Sequence, residues 1–250
     1  MILEIRDLSK EFEGVVAVNR VSFGIEPKVI KALIGPNGAG KTTLFNMVTG
    51  LLVPSGGRVV FKGRELNPYP PHVRAQWGIS RTFQIVRPFG EMTVLDNVMV
   101  GCHLRTCSGI FSAAFRLPQC RKEEDYSQQK ALQELRFVGL ESKAHQLAGS
   151  LPMGEQRLME IARALASDPE LVLLDEPAAG LNEKETDQLG EDLLKIKARG
   201  ITILLVEHDM RMVMKISDEI VVISYGTKIA EGIPYDIRNN REVIAAYLGS

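Results

Sequence analysis

Hydrophobic and polar positions alternate over the first twenty-five residues, as Ile2-Leu3-Glu4-Ile5 and again from Val16 to Phe23. A period of two marks strands with one covered and one solvated face, and predicts antiparallel strands here. Val29 to Ile34, Leu171 to Leu174 and Ile201 to Val206 are different: near-continuous Ile/Leu/Val runs without alternation. Such runs suit central parallel strands covered on both faces. Helical patterns separate them, so the middle of the chain is predicted to be doubly wound α/β. Near the end, Ile220 to Ser224, Tyr225-Gly226 and Thr227 to Ala230 read as a hairpin, followed by a helix through Val243 to Leu248. Between residues 85 and 150 strand-like runs vanish, and Lys122 to Phe137 has helical spacing with polar faces. Leu158, Ile161, Ala162 and Leu165 repeat at i, i+3, i+4 and i+7, the apolar face of a further helix. The expected architecture is a single domain over residues 1–250, an α/β body with a mainly helical lobe inserted near residues 85–165.

The most informative stretch lies between one buried strand pattern and a helical one. Gly35-Pro36-Asn37-Gly38-Ala39-Gly40-Lys41-Thr42-Thr43 fits G-x-x-x-x-G-K-[ST], a loop that wraps nucleotide phosphates. The helix pattern from Thr42 to Val48 puts Leu44, Phe45, Met47 and Val48 inward and stops at Gly50. Glycines let successive backbone N–H groups converge on an anion, and the helix start adds its unsatisfied amides and positive dipole end. Lys41 supplies a point charge for the β- and γ-phosphates, and the Thr42 hydroxyl is a hard ligand for Mg²⁺. The chain is therefore expected to bind a nucleoside triphosphate.

Leu171-Val172-Leu173-Leu174-Asp175-Glu176 is a buried strand ending in two carboxylates, at the edge where a phosphate loop would lie. Asp175 is expected to hold Mg²⁺ through its water shell, and Glu176 to polarise the water that attacks the γ-phosphate. His208 follows the last apolar strand, within reach of the γ-phosphate. Gln84, after Arg81-Thr82-Phe83, carries a neutral amide suited to touch Mg²⁺ or the water. In isolation each of these two reads better as a solvated loop residue, and only their order in the chain favours the functional reading.

Composition narrows the class. Apolar residues make up 45% of 250, and Lys+Arg 30 against Asp+Glu 31 leaves net −1, so nothing draws the chain in bulk to nucleic acid or anionic lipid. No apolar run is long enough to span a bilayer. The N-terminus lacks a secretory pattern. Cys102, Cys107 and Cys120 form no C-x-x-C and read as reduced thiols of an intracellular protein.

The order of these motifs is itself a pattern. Phosphate loop, Gln84, Leu151-Pro152-Met153-Gly154-Glu155-Gln156-Arg157, Asp175-Glu176, Ala179-Gly180-Leu181-Asn182 and His208 together resemble an ABC-type ATPase nucleotide-binding domain over essentially the whole chain. Arg81-Thr82-Phe83-Gln84, Glu207-His208-Asp209-Met210, the Gly109-Ile110-Phe111-Ser112 insertion, and the tail from Ile237 through Tyr247-Leu248-Gly249 look most like the ATP-binding subunit of branched-chain amino acid importers. The resemblance implies a P-loop NTPase fold of ABC type, with an antiparallel β subdomain and an inserted α-helical subdomain. It implies ATP and Mg²⁺ as cofactors, and Phe12 stacked on adenine, although a place for Phe12 in the sheet core stays open. It implies a second ATP-binding subunit, identical or sister, with Gly154 and its neighbours facing the partner's phosphate loop. It further implies permease subunits receiving Gln84, Phe89, Met92, Val94 and Leu95, no nucleic acid, and a peripheral place on the cytoplasmic face of the inner membrane.

Three positions depart from the usual L-S-G-G-Q, Met153 among them in place of the first glycine. Pro152 replaces a serine that donates, and Glu155 adds negative charge near an anion, so this side is expected to be the weaker one. Asn182 stands where the family usually has Asp. Alternatives are an ATPase of a transporter for urea, amides or lipid-like cargo, a soluble mechanical ATPase of repair or translation, and an ordinary P-loop kinase or GTPase. The last has no use for residues 151–157 or His208.

Overall fold

The computed structural model describes residues 1–82, 88–105 and 118–248. Strands β1 (Leu3–Phe12) and β2 (Val15–Ile25) pair antiparallel, Leu3 against Ile25 and Phe12 against Val15. Their alternation buries Leu3, Ile5, Leu8, Val18, Val21, Phe23 and Ile25. Strand β3 (Ile30–Ile34) leads into α1 (Lys41–Thr49), which ends at Gly50 in a left-handed conformation. Next come β4 (Gly56–Phe61), β5 (Arg64–Glu65), α2 (Pro71–Gln76) and β6 (Ile79–Arg81). Helices α3 (Val94–Met99), α4 (Pro118–Phe137) and α5 (Met153–Ala166) follow. The chain then runs through β7 (Leu171–Asp175), α6 (Glu183–Ala198), β8 (Thr202–Val206), α7 (Met210–Ile216), β9 (Glu219–Ser224) and β10 (Thr227–Gly232). It closes with α8 (Pro234–Asn239) and α9 (Arg241–Leu248).

These elements divide into two compact units, residues 1–81 with 170–250, and residues 82–169. Among the described residues the first unit holds two sheets, ordered β2-β1-β4-β5 and β10-β9-β3-β8-β7-β6. In the larger sheet β6, β7, β8, β3 and β9 run parallel, and β10 closes it antiparallel. All residues of β3, β7 and β8 are buried, which is why their sequences do not alternate. One face, with Leu33, Leu173, Leu204 and Val206, shares a core with α1 and the antiparallel sheet. The opposite face, with Ala32, Ile34, Ile220 and Val222, packs on Val213, Ile237 and Val243 of α7, α8 and α9. Each fully buried Leu, Ile or Val stabilises this arrangement by about 1.5–3 kcal/mol. Met212 is buried on α7, and Met210 and Met214 pack against the same core, so these methionines are packing residues.

The second unit is helical in its described part, apart from an isolated bridge between Thr93 and Leu147. Thr93 and Asp96 form a capping box at the start of α3. Val94 and Leu95 lie in the core of this unit, at 0% and 5% exposure, so they do not line an open groove; Phe89 is the exposed one at 50%. The apolar face of α5 is broader than spacing suggested. Met159, Ile161, Ala162, Ala164 and Leu165 are buried, whereas Leu158 is only half-buried. Among the described residues no helix is long and apolar enough to cross a membrane.

Candidate active site

The glycine-rich loop leaves β3 and is held on two sides. At Gly35 a Cβ would lie 2.0 Å from the Ile223 carbonyl oxygen, and at Gly40 (φ 99°) one would lie 2.5 Å from that of Ala17. Side chains are therefore excluded where the loop passes β9 and β2. The turn between β9 and β10 locks this contact. The Gly226 N–H donates to Ala39 O (3.1 Å), and Gly226 O accepts from Asn19 N–H (2.8 Å). Helix α1 has no capping side chain, so its first amides stay available beside exposed Asn37, Gly38 and Thr42 and half-buried Pro36 and Thr43. Lys41 is buried, and its ammonium donates to the carbonyls of Gly35 (2.7 Å) and Pro36 (2.9 Å). Burial lowers its pKa, opposed by the negative charges of Glu176 and Asp175.

Strand order places the loop after β8 between those after β3 and β7, and register sets Val206 beside both Leu33 and Asp175. The three loops therefore open at one edge of the sheet, outside the carboxyl ends of its strands. Asp175 is 1% exposed; its Oδ2 accepts from Arg81 Nη2 at 2.9 Å. Burial pushes its carboxyl pKa up, and Arg81 pulls it back. Arg81 Nη1 also reaches Asn46 Oδ1 (2.6 Å) and Thr49 Oγ1 (3.2 Å), tying β6, α1 and β7 together. Glu176 sits in the left-handed region at φ 50°, its N–H donating to Val206 O (2.9 Å). Its Oε1 accepts from His208 Nε2 at 2.6 Å. Between these loops lies Glu207, whose Oε1 accepts from Ala178 N–H (2.7 Å) and whose Oε2 accepts from His208 N–H (2.6 Å).

The sheet edge thus gathers Gly35 to Thr43, Asp175, Glu176 and His208. Phe12 lies at the end of β1 in the same unit, 42% exposed with the Lys10 ammonium 5.0 Å from its ring centroid, so it is not a core residue. Gln84 and the segment Gly109 to Ser112 lie outside the described residues. Gly154 belongs to the helical unit. There α5 begins at Met153, so residues 154–157 form its first turn rather than preceding it. Glu155 is ion-paired with Lys143 at 2.5 Å, so a local cation accompanies its charge. Asn182 accepts from Glu185 N–H at 3.0 Å and caps α6, a task Asn and Asp perform alike.

Three contributors were missed by sequence reasoning. Arg81 and Glu207 sit inside quoted motifs, but nothing local says that one meets Asp175 and the other bridges two loops. Tyr247 on α9, 41% exposed, lies near the Gly35 backbone, and partial burial raises its pKa while that backbone pulls it back; only the tail's family likeness hinted at it. For a metal, Thr42 and Asp175 offer hard oxygen. Among the described residues no group of three or more His, Cys, Asp and Glu could hold an ion. That donor set fits Mg²⁺, which keeps waters and takes its remaining ligands from phosphates, better than an all-protein cage.

A family model described as ABC transporter matches residues 18–179, and one described as branched-chain amino acid ATP-binding cassette transporter matches residues 227–250. The chain is 45% identical over 249 residues to the high-affinity branched-chain amino acid transport ATP-binding protein LivG of Escherichia coli (strain K12), covering 99% of this chain and 98% of that one. It is 39% identical over 251 residues to a probable branched-chain amino acid transport ATP-binding protein of Archaeoglobus fulgidus, covering 100% and 96%. A crystal structure of the ADP conformation of an ATP-binding cassette of an ABC transporter matches with a TM-score of 0.86 at 33% identity, over 100% of this chain and 99% of that one.

Proposed function

The chain belongs to the ABC transporter family of ATP-binding cassettes, and we propose that it is the ATP-hydrolysing subunit of an importer for branched-chain amino acids. The observation that carries the catalytic part is the Glu176–His208 contact of 2.6 Å, at the sheet edge where the phosphate loop opens. The relatives named for branched-chain amino acid transport support the cargo.

In this reading the loop amides from Gly35 to Thr43 and the helix start hold the β- and γ-phosphates. Lys41 exchanges its two carbonyl partners for phosphate oxygens. Thr42, Asp175 and Gln84 would hold Mg²⁺, which would supply neutralisation of the phosphate charge. Glu176 accepts a hydrogen bond from the attacking water and orients it in line, and His208 fixes the Glu176 carboxylate while facing the γ-phosphate. Phosphoryl transfer to water passes through a loose transition state, so positioning and charge supply most of the acceleration. Exposed Phe12 offers a flat ring for the base. A second ATP-binding subunit, identical or sister, presents Gly154 and the start of α5 to this site. Permease subunits in the membrane take up the closure from the cytoplasmic face, and nucleic acid has no part.

Replacing Glu176 by Gln keeps the size of the side chain and removes the acceptor charge. ATP turnover is expected to fall by about 10²–10⁴-fold while equilibrium ATP binding stays near the parent's. Unchanged turnover in a phosphate-release assay would assign the water to another group.

A further inference from the structure

The ladder between β7 and β8 ends with Asp175 beside Val206, followed by one last bond from Glu176 N–H to Val206 O (2.9 Å). Beyond that point the two loops bearing Glu176 and His208 have no ladder to hold them in register. Glu176 adds a difficulty of its own, since a non-glycine residue at φ 50° persists only where its surroundings over-determine it. Glu207 lies where a constraint is needed. It is 3% exposed, and its carboxylate spans the gap: Oε1 takes the Ala178 N–H, two residues after Glu176, and Oε2 takes those of His208 (2.6 Å) and Asp209 (3.3 Å). A buried carboxylate is costly unless hydrogen-bonded, and these backbone donors make it tolerable. A neutral amide side chain has a single acceptor oxygen and would serve one loop only.

We propose that Glu207 is a positioning residue that holds the Glu176 loop and the His208 loop in catalytic register. It touches no substrate and acts through the other two. The inference rests on the ATPase reading above and adds to it a residue that sets the geometry of the water-orienting pair.

The test compares Glu207→Gln and Glu207→Asp with the parent protein, reading ATP turnover, KM and thermal unfolding. Gln frees one loop, and Asp, a methylene shorter, cannot span both. For each, kcat is expected to fall about tenfold or more, the loss of one charge-assisted hydrogen bond, with KM for ATP within about threefold. In a His208→Ala background the further loss from Glu207→Gln is expected to shrink below about twofold, because the partner being positioned is gone. Equal losses in both backgrounds, a matching collapse of KM and kcat, parental kcat in folded variants, or failure of both variants to fold each overturn the inference. A parent that neither binds nor hydrolyses ATP would end the ATPase reading itself; a parent that hydrolyses ATP beside unimpaired variants ends only the role of Glu207.

Discussion

Helices α1 and α5 both begin without a capping side chain, and they do so in opposite ways. At α1 the preceding residue is Gly40 in a left-handed conformation, the next is buried Lys41, and Asn37 and Gly38 beside them are exposed. At α5 the preceding residue is Pro152, Met153 is 64% exposed, and the first turn holds Glu155 paired with Lys143. Helices α3 and α6, by contrast, close their starts with Thr93–Asp96 and Asn182–Glu185 capping boxes. An uncapped start keeps its amides for an outside acceptor, so both α1 and α5 retain the means to meet an anion. They differ in what surrounds those amides. The α1 start has its own cation in reserve, parked on two carbonyls. The α5 start carries an acid whose charge is met locally, so it presents its backbone with little net field.

Three substitutions probe that contrast, in order of expected effect. Lys41→Ala removes the reserve cation, and ATP affinity measured with a fluorescent analogue is expected to drop by about 100-fold or more, the loss of two charge-assisted contacts. Affinity near the parent's would show that the amides alone suffice. Lys143→Met leaves Glu155 unpaired at the α5 start. Turnover at saturating ATP is expected to fall by about threefold, a modest figure because both groups are partly solvated, with ATP binding to the single chain unchanged. No change there would mean that the Glu155 charge never meets the phosphates. Pro152→Ser supplies a hydroxyl that can cap α5 or donate outward, and turnover of the isolated protein is expected to rise by about twofold. A flat response would show that the α5 backbone already does what the serine would.

Legibility followed the range of the interaction. The phosphate loop, the Asp175-Glu176 pair after a buried strand and the hairpin at Tyr225-Gly226 were readable because each is written within about ten consecutive residues as pattern or turn chemistry. The strand β4 and the helices α2 and α8 are short and make no separate pattern. The apolar stripe from Leu158 to Leu165 does not mark where α5 begins; the helix starts at Met153, directly after Pro152, and a proline is well tolerated at a helix start. A single stripe puts Leu158 inward, whereas the helix is buried on a broader front because neighbours cover more than one side.

What the chain determined alone was a list of chemical groups and the elements that carry them. Periodicity and glycine placement act between near neighbours, and folding does not change them. Which groups meet was decided by sheet order and register. Parallel strands β3, β8, β7 and β6 lie side by side in an order the chain does not follow, and that adjacency brings Arg81 to Asp175, His208 to Glu176, and Glu207 between two loops. Those contacts depend on a shared core whose strands are apolar on both faces. A continuous run of Ile, Leu and Val marks such a strand as buried without saying which strand lies next to it.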